Sequence, residues 1–344
     1  MIPVRNIYYM LSYAFYLLNE KGYRSIATEQ FDNVADLCAA ILSKGVSIQI
    51  KRGISREYIE ETEARSSICG RIEISESVKT RTILRNQLIC SYDSFSANTY
   101  LNRIIKTTLT VLLRADITQQ RKKDIRRVLV FLENIDCLDI NTINWNVRVN
   151  RNTQSYRMLI SICYLVINGL LQTEVNGATR VMEFFDEQSM SRLYEKFILG
   201  YYAKECPYIK ATSSQIPWAV DDGNKTMLPI MQSDVMLTRG SDVLIIDAKY
   251  YSHTTQKRYD AHTLQSANLY QIFTYVKNKE ASFGKKAHRV SGMLLYAATD
   301  EAVQPNCSYV MSGNKISVQT LDLNQDFSEI ASHLNSIVNE YFPY

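Results

Sequence analysis

Between Met231 and Tyr251 the chain reads Met-Gln-Ser-Asp-Val-Met-Leu-Thr-Arg-Gly-Ser-Asp-Val-Leu-Ile-Ile-Asp-Ala-Lys-Tyr-Tyr, and this stretch restricts the fold more than any other. Two apolar runs flank Arg239-Gly240, which predicts an antiparallel hairpin with the glycine in its turn. If the loop holds two or four residues centred on Arg239-Gly240, Asp234 lies opposite Ile245 and diagonal to Asp247. Cross-strand partners share a face, as do residues i and i+2, so Asp234, Asp247 and Lys249 then project from one side. A three-residue loop would break that register. Two carboxylates and an ammonium at the edge of an apolar hairpin are costly to desolvate unless something neutralises them. Mg²⁺ does so, because it takes carboxylate oxygens, keeps several waters and bridges to substrate phosphate. Lys249 would then orient or deprotonate an attacking water, or balance the charge developing on the phosphoryl oxygens. The plain alternative is an exposed Asp-Lys pair on an edge strand, which is worth little and needs no ligand. The apolar run Val243 to Ile246 before Asp247, and Asp234 upstream of it, favour a metal site that cuts phosphodiesters.

Elsewhere the patterning is mixed. Residues 3–19 read as a helix from Ile7, Met10, Leu11, Ala14 and Leu18, and a second helix is expected at 31–44. Val46, Ile48 and Ile50 then alternate with polar residues, Gly53 breaks the run, and Ile72 and Ile74 resume it after Gly70. This predicts a small sheet or pair of hairpins over 46–92, with Lys51, Arg52, Arg56 and Arg71 near its turns. Asn98 to Arg114 returns to helical spacing. Residues 138–156 are rich in asparagine (Asn141, Asn144, Asn146, Asn150, Asn152) and mark the expected boundary between domains 1–155 and 156–344. The second domain is expected to hold helices at about 156–171 and 189–204, the hairpin, a helix around 263–277, a strand at 289–297 and a last helix at 327–341. The fold class is α/β (α+β), a helix and small-sheet domain followed by a helix, hairpin and helix domain.

Composition removes several function classes. With 46% hydrophobic and 22% charged residues the chain is neither disordered nor a coiled coil. Seven cysteines form no C-x-x-C pair, and His253, His262, His288 and His333 have no metal spacing, so neither a disulfide framework nor a zinc site is expected. A reducing, cytoplasmic setting follows. The most apolar run, Met158 to Leu171, is about fourteen residues, short of the roughly 20 that span a bilayer, so no membrane partner is expected. No G-x-x-x-x-G-K-[ST] occurs, so this chain is not expected to bind a nucleoside triphosphate by itself. The net charge of +4 is uneven: residues 1–150 carry 21 Lys+Arg against 16 Asp+Glu, and residues 151–344 carry 18 against 19. Eight cations between Arg103 and Arg127 could track DNA phosphates, or could simply line a solvated helix face.

The hairpin with its flanking helices resembles the PD-(D/E)XK nuclease core, in which an acidic residue is followed by D-x-K. Glu195, in Leu193-Tyr-Glu-Lys-Phe197, matches the helix-borne glutamate that precedes the hairpin in many members. Asn268, Gln271 and Tyr275 make one polar stripe, and their Q-x-x-x-Y spacing resembles the helix that braces such sites. Either could instead be ordinary, Glu195 a surface charge and Gln271 an interhelical hydrogen bond. The opening IPVRNIYYMLSYA, GRIE at Gly70 to Glu73, NRIIKTTL at Asn102 to Leu109, IIDAKYY at Ile245 to Tyr251 and NLYQ at Asn268 to Gln271 together resemble the McrC family, the nuclease subunit of the McrBC modification-dependent restriction system. Ser96-Ala97-Asn98 departs from that family, whose members tend to carry acidic residues there.

The resemblance implies a PD-(D/E)XK endonuclease of double-stranded DNA carrying modified cytosine. Asp234, Asp247, Lys249, Glu195 and Gln271 would be its catalytic residues, and Asp234, Asp247 and Glu195 its Mg²⁺ ligands. It further implies a partner, a hexameric AAA+ GTPase of the McrB type, which binds GTP, reads the modified base and is stimulated by this subunit through its front part. Lys51-Arg52 and Arg71 are the contact candidates. Two other readings stand beside it: a non-catalytic AAA+ activator with a vestigial nuclease fold, and a stand-alone RecB-like DNA-processing nuclease.

Overall fold

The computed structural model describes residues 2–15, 33–147, 155–175, 187–251, 255–258 and 261–343, with a few isolated positions between them. They fall into two compact units, residues 35–171, and residues 1–34 together with 172–344.

Helix α1 (Val4–Ala14) belongs to the second of these units, and the unit of residues 35–171 opens with α2 (Val34–Arg52). A three-stranded antiparallel sheet of β1 (Glu57–Arg65), β2 (Arg71–Ile72) and β3 (Leu88–Ser96) follows, in the order β1-β3-β2. Short helix α3 (Ile74–Lys79) lies between β2 and β3, and α4 (Tyr100–Leu112), α5 (Gln119–Val130) and α6 (Tyr156–Val175) complete the unit's helices. The expected sheet over 46–92 therefore starts too early. Leu42, Val46 and Gln49 are buried at helical spacing, so the helical period overrides the apparent alternation of Val46, Ile48 and Ile50. Asp36, 2% exposed, ties α2 to α5: its Oδ1 accepts from the Thr118 N–H and hydroxyl, both at 2.9 Å, and Oδ2 lies 3.6 Å from Arg121 Nε. Several cations of the basic run are thus already engaged, for Arg127 also meets Asp124 at 3.6 Å and Lys106 donates to the Glu133 carbonyl at 3.0 Å.

The other unit is built on a six-stranded mixed sheet. In chain order its strands are β4 (Lys210–Thr212), β7 (Val235–Arg239), β8 (Asp242–Lys249), β11 (Arg289–Ala297), β12 (Cys307–Met311) and β13 (Asn314–Leu321). The spatial order is β12-β13-β11-β8-β7-β4. Strands β8, β11 and β13 run parallel, and the other pairs are antiparallel. Two small ladders stand apart, β5 (Gln215–Ile216) with β6 (Met231–Gln232), and β9 (Thr255–Arg258) with β10 (Ala261–Leu264). Helix α8 (Ser266–Ala281) covers one face, where Ile272 and Val276 join Val243, Ile245, Leu294, Ile316 and Val318 in one apolar cluster. Gly292 permits this approach, since a Cβ there would lie 2.8 Å from both Ile272 Cγ1 and Val276 Cγ2. Alternate residues point the other way. On that side Ser317 accepts from the Tyr341 hydroxyl of α9 (Phe327–Tyr341) at 2.7 Å.

Helix α7 (Glu187–Glu205) packs with α1 (Val4–Ala14) and α9. Tyr201 and Tyr202 donate to the α9 carbonyls of Ala331 and Leu334, and Phe327 stacks on Tyr9 with ring centroids 4.3 Å apart. Asn6 donates to the Leu323 and Gln325 carbonyls at 2.8 Å each. At Gly200 a Cβ would come within 2.1 Å of the Tyr13 carbonyl oxygen, so only glycine lets α1 lie this close.

These contacts correct the expected division at 155/156. The apolar side of α1 finds its cover on α7 rather than on the residues that follow it, so the chain's start belongs with its second half. Of the Asn-rich stretch, Asn141, Asn144 and Asn146 lie in the unit of residues 35–171 and make local bonds, while Asn150 and Asn152 lie outside the described residues. Asn144 Oδ1 accepts from the Asn146 N–H at 2.9 Å, while the Asn144 N–H donates to the Tyr100 hydroxyl at 2.7 Å. Among the described residues no helix is long and apolar enough to cross a membrane.

Candidate active site

Strand β8 is central in its sheet, which is why Val243 to Ile246 are all buried. Val243 and Ile245 face α8, and Asp247 and Lys249 continue that row at the end of the strand. Pairs Val235↔Ile246 through Arg239↔Asp242 leave Gly240-Ser241 as a two-residue turn. Gly240 has φ +62° at the first turn position, where the tight hairpin turns need a left-handed residue and arginine would be strained. The turn is therefore centred one residue later than expected. Continuing the register by one pair places Asp234 opposite Asp247, where the sequence suggested Ile245; a shift of two partners keeps the shared face.

The side chains converge at this end of the sheet. Asp234 Oδ2 accepts from the Ala248 N–H at 2.9 Å, which pins the upstream carboxylate beside the D-x-K segment. Asp247 is 2% exposed, and its Oδ2 lies 2.9 Å from Lys249 Nζ. That oxygen receives no hydrogen bond of ordinary geometry among the described residues. The ammonium also donates to Gln271 Oε1 at 3.1 Å, and Gln271 Nε2 donates to the Tyr275 hydroxyl at 3.0 Å. Gln271 and Tyr275 thus form a brace one helical turn long. Asn268, on the same stripe, serves a different group: its amide donates to the Tyr296 hydroxyl at 2.9 Å, and Tyr296 pairs with Lys249 across the parallel ladder. Tyr296 escapes sequence reasoning, because it sits in an apolar run and meets Lys249 only through the pairing of β8 and β11.

Glu195 lies on α7, half-buried, with Oε1 accepting from the Ser191 hydroxyl at 3.2 Å. Burial raises its pKa, and the charge of Asp234 adds to the rise, so the two acids share one field. Burial likewise raises Asp234. Asp247 is pushed up to about 7, first by burial and then, against the pull of Lys249, by Asp234. For Lys249 burial works downward, but Asp247 and Asp234 together carry it above the ordinary lysine range, so it stays an ammonium at neutral pH.

Two carboxylates that repel at the end of the sheet, Asp247 buried and Asp234 part-buried, fit a hard divalent cation. No three His, Cys, Asp or Glu side chains converge into a ligand set among the described residues. Mg²⁺ does not need one, since it is commonly held by one or two carboxylates with water and substrate phosphate filling its shell. The structure thus brings Asp234, Asp247, Lys249 and Gln271 together, and leaves Glu195 at the margin.

Known proteins resemble this chain along its length. Residues 4–297 match the family model described as McrBC 5-methylcytosine restriction system component. The type IV methyl-directed restriction enzyme EcoKMcrBC of Escherichia coli (strain K12) is 30% identical over 346 residues, covering 99% of this chain and 98% of that protein. A half-complex from a tetradecameric assembly of Thermococcus gammatolerans McrB AAA+ hexamers with bound McrC aligns over 97% of this chain and 76% of that one, at TM-score 0.49 and 16% identity. The Thermococcus gammatolerans McrBC complex aligns over 59% of each chain, at TM-score 0.42 and 16% identity.

Proposed function

Since this chain belongs to the family of McrBC 5-methylcytosine restriction system components, we propose that it is the DNA-cutting subunit of a GTP-driven complex, working with an AAA+ GTPase that recognises modified cytosine. The observation that carries this reading is the convergence of Asp234, Asp247 and Lys249 at one end of the sheet, braced by Gln271. The layout is that of a PD-(D/E)XK nuclease, and the substrate is a phosphodiester of double-stranded DNA.

Asp234 and Asp247 would hold Mg²⁺, with Glu195 close enough to tune their charge. When bound, the ion would neutralise the paired carboxylates and polarise a phosphodiester. Lys249, protonated, acts as a donor: it positions the attacking water and balances charge growing on the phosphoryl oxygens, in place of accepting a proton. Gln271 takes one ammonium proton in a hydrogen bond and so fixes where the others point; Tyr275 fixes Gln271. Burial of Asp247 excludes water that would weaken each of these contacts.

The test is cleavage of modified DNA by the reconstituted complex with GTP and Mg²⁺. Asp247→Asn or Lys249→Ala should lower cleavage by about a hundredfold or more, the scale of one electrostatic transition-state group. Asp247→Asn should still raise GTP hydrolysis by the AAA+ subunit. Near-normal cutting by folded Asp247→Asn protein would remove this site from consideration.

A further inference from the structure

Strands β8 and β11 run side by side, and their rows facing α8 change character together. The parallel pairs Val243↔Val290, Ile245↔Gly292, Asp247↔Leu294 and Lys249↔Tyr296 begin apolar and end on an ammonium and a phenol. Helix α8 follows the same division. Ile272 and Val276 lie over the apolar part, while Asn268 and Gln271 bond at the polar end. Those two residues are three apart and so share one face of the helix. One grips Tyr296, the other Lys249.

Tyr296 is fully buried and Asn268 is 6% exposed. Phenylalanine would serve packing alone, since a hydroxyl taken out of water costs free energy unless it is bonded. Here the bond is the 2.9 Å contact from the Asn268 amide. It fixes the far end of a ring whose near end is fixed by β11. Neighbouring strands lie about 4.8 Å apart, so the ring flanks the stem of Lys249. That stem is long and flexible, and its head is held by Asp247 and Gln271. A wall along the stem limits the directions the ammonium can take. Burial raises the Tyr296 pKa, and Asp247 and Lys249 act on it in opposite directions, so the hydroxyl stands in the field of both charges.

We infer that Asn268 and Tyr296 are positioning residues for the cleavage reaction, which act through the ring wall to set where the Lys249 ammonium sits. The assignment rests on the nuclease function proposed above and gives α8 a second arm at the site beside the Gln271 contact. The role requires the bond as well as the ring. Tyr296→Phe, which keeps the ring, and Asn268→Ala, which keeps the hydroxyl, should therefore act alike.

The experiment is single-turnover cleavage of modified DNA by the reconstituted complex with GTP, over a series of DNA and Mg²⁺ concentrations. Tyr296→Phe and Asn268→Ala should each lower the maximal rate about tenfold, and the double variant should fall no further. The DNA and Mg²⁺ concentrations at half-maximal rate should stay parental. In a Lys249→Ala background, Tyr296→Phe should leave the residual cleavage unchanged. A second readout needs no metal: in full-length chain labelled with ¹⁵N-lysine, either substitution should speed hydrogen exchange of the Lys249 ammonium several-fold. Exchange at Lys277, bonded to Asn314 farther along α8, should not move. Parental rates or parental Lys249 exchange in both variants would overturn the inference and leave the nuclease reading standing. A fall of equal size in the Lys249→Ala background, a loss confined to DNA or Mg²⁺ affinity, or failure of Tyr296→Phe to fold would make the pair a structural prop and overturn it too. Parental cleavage by the Lys249→Ala chain, or no cleavage by the parent complex, would overturn the nuclease reading along with it.

Discussion

Replacing Gly292 with alanine tests whether the packing of α8 sets the position of Lys249. The new Cβ would lie 2.8 Å from Ile272 Cγ1 and Val276 Cγ2 and 3.0 Å from Ile316 Cδ1. Carbon atoms settle at about 3.5–4.0 Å, so α8 would have to lift by roughly 1 Å. Gln271 precedes Ile272 on that helix, and its 3.1 Å bond to Lys249 would stretch beyond hydrogen-bond range. Overpacking of this kind costs about 1–3 kcal/mol, offset in part by the roughly 0.5–1 kcal/mol that alanine gains over glycine in a strand. The protein should therefore lose about 1–2 kcal/mol and stay folded. Cleavage should fall further than that loss suggests, by about 10- to 100-fold, because a 1 Å misplacement can cost about a hundredfold. Urea unfolding and single-turnover cleavage by the assembled complex measure the two effects. Adding Gln271→Ala to the Gly292→Ala background should then change cleavage little, since the contact is already lost. A Gly292→Ala protein that is more stable than its parent and cuts at the parental rate would refute the packing argument.

The remaining expectations concern charge and packing. Asp247 sits near pKa 7 in the folded chain against an ordinary 3.8, so the native state binds more protons in that window, and stability present below the lower value is lost as pH rises through about 7. Metal-free protein should melt at a lower temperature at pH 8 than at pH 5.5, Asp247→Asn should flatten that slope, and added Mg²⁺ should raise the melting temperature of the parent chiefly at pH 8. Gly200→Ala, worth about 1 kcal/mol of stabilisation in an open helix, should instead destabilise by about 1–3 kcal/mol in urea because its Cβ meets the Tyr13 carbonyl. Asp36→Ala should cost about 1–3 kcal/mol, the scale of taking away the acceptor of the buried Thr118 N–H and hydroxyl while Arg121 keeps Asp124, read as an earlier urea transition.

What the sequence made legible was local. Asp234, Asp247 and Lys249 share a face because strand period and turn length are short-range properties, and the helices at 189–204 and 327–341 follow from apolar spacing. The register missed by one turn position, since two apolar runs around Arg239-Gly240 do not say which residue leads the turn, and only the left-handed geometry of Gly240 does. Tyr296 beside Lys249, and α1 on α7, depend on pairings between distant segments that no local period encodes. Glu195, carried on α7, reaches the hairpin acids only through the field it shares with Asp234, which again no local period encodes.

The joining of residues 1–34 to 172–344 also sets an order of assembly. As the chain is made, α1 emerges with its partner α7 still about 180 residues behind, a wait of roughly 10–35 s at ordinary translation rates. Met10 and Leu11, buried in the finished protein, have no cover from α7 during that interval. Residues 35–171 meet no such delay, and their folding shortens the loop that α1 must close, which lowers the entropy cost of the final docking. We therefore expect the middle of the chain to mature before its beginning. Translation stalled once α6 has cleared the ribosome but while α7 is still inside it should leave a protease-resistant core at 35–171 with α1 still open to cleavage, and protection of α1 at that length would contradict this sequence of events.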